Sequence, residues 1–205
     1  MITIEEFKHY LKIPDVIPED ETAFIKDCIY AAVDEMNIFT NRVLVQLDSD
    51  LTISLTEMTE YYDGYDTNIL YLNNHPLINF GTGTNELMYL ENDTEWKNIL
   101  KPPDTIADSV LVLAYGKLVL QKGYIFPEGV KNIKVKYKSG YTAETLPPDL
   151  KRICYEFAAY KFFNSNYAET SRLGIEFRDD SSGNRVRYMR RETEGALRRY
   201  RRRVV

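Results

Sequence analysis

Apolar residues recur at helical spacing in two stretches far apart along the chain. Phe24, Ile25, Cys28, Ile29, Ala32, Met36 and Phe39 fall at intervals of three and four, which predicts a helix over about residues 21–39. Leu150, Ile153, Cys154, Phe157, Ala158 and Lys161 repeat the pattern behind Pro147 and Pro148. Proline is well tolerated in a first helical turn, so a helix is predicted from there to about residue 163. A shorter one should open the chain. Thr3 and Glu6 have capping-box spacing in front of Phe7, Tyr10 and Leu11, and Pro14 stops the run. Residues 13–20 hold two prolines and three acids and read as a loop.

From Val43 the period shortens. Leu51, Ile53 and Leu55 alternate with polar residues. Turn signals then follow at Asp63-Gly64, His75-Pro76, Gly81-Thr82-Gly83, Lys122-Gly123, Pro127-Glu128-Gly129 and Ser139-Gly140. Short strand-like runs lie between them at 69–72, 77–80, 87–90, 110–114, 117–120 and 133–137. The pattern predicts an α+β fold, a small helical bundle with an inserted, mostly antiparallel β region and an extended or helical basic C-terminal arm. The expected divisions are 1–44 for the first bundle helices, 45–145 for the β region, 146–165 for the last bundle helix and 166–205 for a loop and the arm. Residues 164–183 are polar and read as that loop. Val186, Met189, Ala196, Leu197 and Tyr200 leave the arm only a thin apolar face, so its order is expected to come from a partner.

Composition adds further points. Of 205 residues, 44% are hydrophobic, enough for a packed interior. Sixteen Tyr against nine Phe suit strands with one wet face, or surfaces that meet other subunits. Cys28 and Cys154 sit among apolar neighbours and read as buried, reduced thiols. No apolar run approaches the length of a bilayer span, and the N-terminus lacks the basic and apolar regions of a signal peptide, so synthesis in the cytoplasm is expected. The net charge of −5 is unevenly spread: residues 185–205 hold nine Arg and two Glu, a local +7, which leaves −12 on the rest.

Three stretches, in order, carry a resemblance. The first is Ile4-Glu5-Glu6-Phe7-Lys8-His9-Tyr10-Leu11-Lys12-Ile13-Pro14-Asp15, an acidic loop, a helix, and then Phe39-Thr40-Asn41-Arg42-Val43-Leu44. Asn41 stands where a Gly is usual, and Asn is the common substitute in a left-handed position. The second runs from Tyr62-Asp63-Gly64-Tyr65 through Leu70-Tyr71-Leu72 to Pro76-Leu77-Ile78. The third is Asn132-Ile133-Lys134-Val135-Lys136-Tyr137-Lys138-Ser139-Gly140-Tyr141, followed by Leu146-Pro147-Pro148-Asp149-Leu150-Lys151. Spanning roughly residues 3–163, they resemble the head–tail connector (adaptor) family of tailed phages, with 81–126 the least recognisable part. The resemblance implies a structural virion subunit at the head–tail junction. Its copies form a ring, usually a dodecamer, docked on the portal protein around the DNA channel, with the next tail or stopper component on another face.

The arm carries the most chemistry. Arg185, Arg187, Arg190, Arg191, Arg198, Arg199, Arg201, Arg202 and Arg203 offer planar, permanent charges that suit carboxylates or phosphates. With Met189, Leu197 and Tyr200 as apolar anchors, they are the expected partner-binding residues, on an acidic portal surface or a neighbouring copy. The alternatives are DNA phosphates in the channel, a nucleic-acid-binding protein using the arm, a neighbouring head- or tail-completion protein, and a merely solvated tail. Asp48, Asp50, Asp63 and Asp66 miss the spacing of a calcium loop and read as turn residues. Gly81-Thr82-Gly83-Thr84 lacks the Gly-Lys that completes a phosphate loop. His9 and His75 stand apart from each other and from any nucleophile. No catalytic residue, cofactor or metal site is therefore expected, and no membrane contact.

Overall fold

In the computed structural model, residues 2–12, 18–80, 85–92, 94–163 and 193–201 are described. The Gly81–Thr84 turn, the loop expected over 164–183 and most of the arm lie outside them.

Thr3 opens α1 (Ile4–Leu11) as its N-cap, its hydroxyl accepting from the Glu6 N–H at 3.2 Å. The reverse half of the capping box is replaced. Glu6 pairs with Lys151 at 2.6 Å and accepts the Tyr155 hydroxyl at 2.7 Å, while the Thr3 N–H donates to Tyr155 at 3.2 Å. These bonds tie α1 to α4 (Pro148–Phe163). Between them in sequence, α2 (Glu19–Thr40) ends on Asn41, which is left-handed at φ 52°, as its place in the Thr-Asn-Arg turn implied.

The predicted stripes meet. Ile25, Cys28, Ile29, Ala32 and Met36 of α2 share one core with Leu150, Ile153, Cys154, Phe157 and Ala158 of α4. Lys161, at the edge of its stripe, stays out of that core and pairs with Glu35 of α2 at 2.7 Å. A hairpin of β1 (Gln46–Leu47) and β2 (Ile53–Ser54) completes this unit, which comprises residues 1–54 and 141–205.

Residues 55–140 form a second compact unit. In chain order its strands are β3 (Thr56–Gly64), β4 (Ile69–Tyr71), β5 (Leu77–Ile78), β6 (Glu86–Glu91) and β7 (Glu95–Asn98). The short helix α3 (Ile106–Ser109), β8 (Val110–Leu113), β9 (Lys117–Leu120) and β10 (Gly129–Ser139) follow. One sheet has the order β3-β10-β6-β7, with β5 also on β10, and a smaller one the order β4-β9-β8. The pairings between named strands are antiparallel. Leu70, Leu87, Leu118, Leu120, Phe126, Ile133, Val135 and Tyr137 make its core. Because Thr56 pairs with Ser139, the unit's first and last strands end side by side.

A polar cluster lies within this sheet. The Glu60 carboxylate accepts from the hydroxyls of Tyr62 and Tyr137, the latter at 2.5 Å, and from the Asn74 amide at 2.8 Å. The two tyrosine oxygens in turn accept the backbone N–H groups of Asn73 and Asn74. The cluster thus pins the 72–75 turn to the strands. Burial first, and the adjacent Glu60 charge with it, pushes both phenols well above the usual tyrosine range.

The raised values set the sign of a pH effect. Neutral phenols stabilise the fold below about pH 10, the ordinary tyrosine value, and that contribution falls as pH rises because the unfolded chain ionises first. Tyr137→Phe should therefore cost about 1–3 kcal/mol at neutral pH and flatten the alkaline loss of stability. Urea unfolding at neutral and alkaline pH measures both, and an unchanged alkaline slope would remove Tyr137 as its source. The thiols give a second expectation. Burial pushes Cys28 and Cys154 up to about 12. Native protein should leave a thiol reagent unreacted at mildly alkaline pH and titrate both cysteines once denatured, whereas rapid native labelling of either contradicts the buried assignment.

Candidate partner interface

The described end of the arm is built into the helical unit. Residues 193–197 are helical and Arg198–Tyr200 continue as a 3-10 turn. Leu197 is fully buried in the core shared by α2 and α4, and Ala196 and Tyr200 pack beside it. Within residues 193–201, the apolar side chains of the arm's thin face are taken up by the chain's own helical core. An apolar stripe of three residues suffices because the receiving core is already formed.

Polar groups two turns apart on α4 fix this segment. Asp149 accepts the Tyr200 hydroxyl at 2.8 Å and pairs with Arg199 at 2.5 Å. Seven residues on, Glu156 accepts the Thr193 hydroxyl at 2.6 Å and also pairs with Arg152. A spacing of seven brings both carboxylates to one face of the helix. Burial, followed by the hydrogen bond to Asp149, raises the Tyr200 hydroxyl above its ordinary value.

The third anchor comes from the end of α2. Arg42, 5% exposed, donates from Nη1 to the Tyr200 carbonyl at 2.8 Å. Its backbone is set by the cap: the Arg42 N–H returns to the Asn37 carbonyl, and the Asn37 side chain holds the following strand through the Leu44 N–H and the Val45 carbonyl. Arg42 belongs to the Thr-Asn-Arg turn read from the sequence, but nothing in that reading gave it a role toward the C-terminus. An arginine directly after a left-handed cap was the only signal.

Of the expected partner-binding residues, Leu197, Arg198, Arg199, Tyr200 and Arg201 are described. Arg185, Arg187, Met189, Arg190, Arg191, Arg202 and Arg203 lie outside the described residues. The structure brings Leu197 and Tyr200 inward and leaves Arg198, Arg199 and Arg201 at the surface, Arg199 with its side chain 58% exposed. Basic charge is thus displayed from a fixed root. Asp48 is used within its own turn, accepting the N–H groups of Asp50 and Thr52, whereas Asp63 and Asp66 reach across to the start of β10, accepting those of Lys131 and Glu128. His9 is exposed on α1, and His75 stands edge-on to Tyr115. No helix among the described residues is long and apolar enough to cross a membrane.

The whole chain is similar in fold to chains of solved neck structures. One is the neck of an empty GTA particle computed with C6 symmetry, at TM-score 0.56 and 13% identity, with 98% of this chain and 88% of that chain covered. Another is the neck of a native GTA particle computed with C12 symmetry, at TM-score 0.50 and 14% identity, covering 100% and 90%. A chain from the virion of a native gene transfer agent (GTA) particle gives 0.48 at 14% identity, with 98% and 89% covered. No protein-family model matches the sequence, and no curated protein matches it either. At these identities the likeness is one of fold.

Arg42→Ala should release the root of the arm. Trypsin cleavage after Arg198, Arg199 and Arg201 should quicken at least tenfold in native protein, with a loss of about 1.5–3 kcal/mol for the charged hydrogen bonds. Cleavage at the wild-type rate would show that Arg42 does not hold the segment.

Proposed function

We propose that this chain is a non-enzymatic structural subunit of a head–tail connector ring, docking on the portal vertex and linking the DNA-filled head to the tail. The observation that carries the reading is the full-length match of fold to chains of two particle necks, which leaves neither unit of this chain unaccounted for. The three ordered sequence stretches support the same family independently of the fold. The symmetries with which those necks were computed, C6 and C12, support a ring of copies. In this reading the molecule resides in the virion at the head–tail junction after synthesis in the host cytoplasm.

The basic arm is the portal-facing element. Its surface arginines Arg198 and Arg201 suit carboxylates on an acidic receiving surface, and the buried Leu197 and half-buried Tyr200 fix where that charge stands. Phosphates of DNA in the channel are a secondary contact of the same charge.

Truncation at residue 185 is a poor test because it also strips Leu197 from the core. Replacing Arg198 and Arg201 together by Ser keeps the root intact. This double variant should melt with the wild type and lose at least tenfold in affinity for portal, read by co-sedimentation with portal rings. Normal docking would refute the assigned role of the arm. Salt-sensitive DNA binding by the free chain, lost in the same variant, would favour a nucleic-acid-binding protein instead.

A further inference from the structure

The smaller sheet of the β unit is apolar on both faces. Its inner face is core at Leu70, Leu118, Leu120 and Val110, 0–8% exposed, and opens at Val112, which shares the inner row of Leu70 and Leu118 on the edge strand and is 37% exposed. The registers place Ile69, Val119 and Leu111 in one cross-strand row of the outer face, and Tyr71, Lys117 and Leu113 in the next. Ile69 is 37% exposed, Tyr71 45%, Leu111 44% and Leu113 41%. An antiparallel sheet with a wet outer face alternates apolar with polar, and this one does not.

Among the described residues, the β8 side of the sheet is also open. β8 is an edge strand with Val112 37% exposed beside its neighbours, so three successive residues are uncovered. The Gln121 N–H bonds the Ser109 carbonyl, which sets the alternation and turns the Val112 N–H and C=O outward. Soluble chains usually protect such an edge with charge, proline or a bulge, and Val-Leu-Val-Leu has none.

We propose that the outer face and free edge of β8 form a subunit–subunit contact with a second copy of this chain, with Leu111, Val112 and Leu113 at its centre. The inference rests on the ring reading above and names the surface through which copies meet. Charge points to a second copy. Outside its arm the chain carries −12, so two copies repel wherever acids face each other. The three strands of this sheet hold no acid and one lysine, whose ammonium lies over the Tyr71 ring. They offer a neighbour an uncharged approach.

Area points the same way. The exposed side chains present roughly 400 Å² of mostly apolar surface, the scale at which a patch marks an interface. A lasting specific pair needs about 800 Å² from each partner. A single contact here is too small to hold a dimer, but it is suited to a ring, in which the patch meets a different surface of the next copy, every copy is held on two sides and closure adds to each contact.

The test uses the full chain, its Leu111→Glu variant and the milder Leu111→Ser, with circular dichroism and melting temperature as controls of folding. Self-association is read by sedimentation over a concentration series, and the contact by a benzoylphenylalanine placed at Val112 and irradiated. The expected result is an adduct of twice the chain's mass, with association weakened at least tenfold by Leu111→Glu and less by Leu111→Ser, at unchanged melting temperature. Association of wild-type strength in both variants overturns the inference and leaves the ring reading in place. So does an adduct, in extract of the producing cells, with a different protein only. A wild-type chain that stays monomeric at every concentration and occurs as single copies in assembled particles overturns both.

Discussion

The packing of α2 against α4 is the contact on which the rest depends, and it joins segments more than a hundred residues apart. Bringing such ends together has an entropic cost. For a flexible loop the length of residues 55–140 it is about 4 kcal/mol. The fold reduces that cost by making the intervening chain a unit of its own, whose ends are paired: Thr56 lies opposite Ser139 on β3 and β10. An insertion with adjacent ends behaves like a short loop. The helical core can then form around Ile25, Ile29, Leu150, Ile153 and Phe157 without waiting for a long-range search.

The legibility of each element followed from which side chains it buries. α2 and α4 were plain because their buried faces are apolar over several successive turns, from Ile25 to Met36 in the first and from Leu150 to Phe162 in the second. α1 was plain because Thr3 caps it. β3, nine residues long, passed unnoticed as a strand. Its outward residues Glu57, Thr59 and Tyr61 are polar, as expected of an edge, but its inward row is Met58, Glu60 and Tyr62. The alternation is there, with a carboxylate in the middle of the buried side, held by two tyrosines and an asparagine from other segments. No pattern of apolar residues finds a strand whose inward charge is satisfied by distant partners. β7, Glu95–Asn98, has Trp96 alone to mark it and was missed for want of length.

The same limit explains the arm. Its composition showed where charge is concentrated, but a stripe of Ala196, Leu197 and Tyr200 is too narrow to reveal whether it faces its own core or a partner. The deciding residues lie elsewhere: Arg42, which meets the Tyr200 carbonyl, and Asp149 and Glu156, two turns apart on one face of α4. Among these contacts the Arg199–Asp149 pair is the most exposed, and a pair so wet contributes little. The burial of Leu197 and the bond from the nearly buried Arg42 therefore hold the root, and both are insensitive to salt in a way that the surface arginines are not.

That division has a consequence for assembly. A basic segment tethered to an acidic body would, if free at its root, fold back wherever carboxylates are nearest. Anchoring residues 193–201 by burial fixes where Arg198, Arg199 and Arg201 stand, so their charge can be directed at another surface. In a ring, each copy then presents the same arginines at the same radius. Individually weak, salt-screened contacts become a strong one because the ring binds them all at once. In the proposed ring, the apolar edge of β8 and the basic arm would be complementary devices: the first would set copies side by side, and the second would convert their alignment into affinity for the surface beneath.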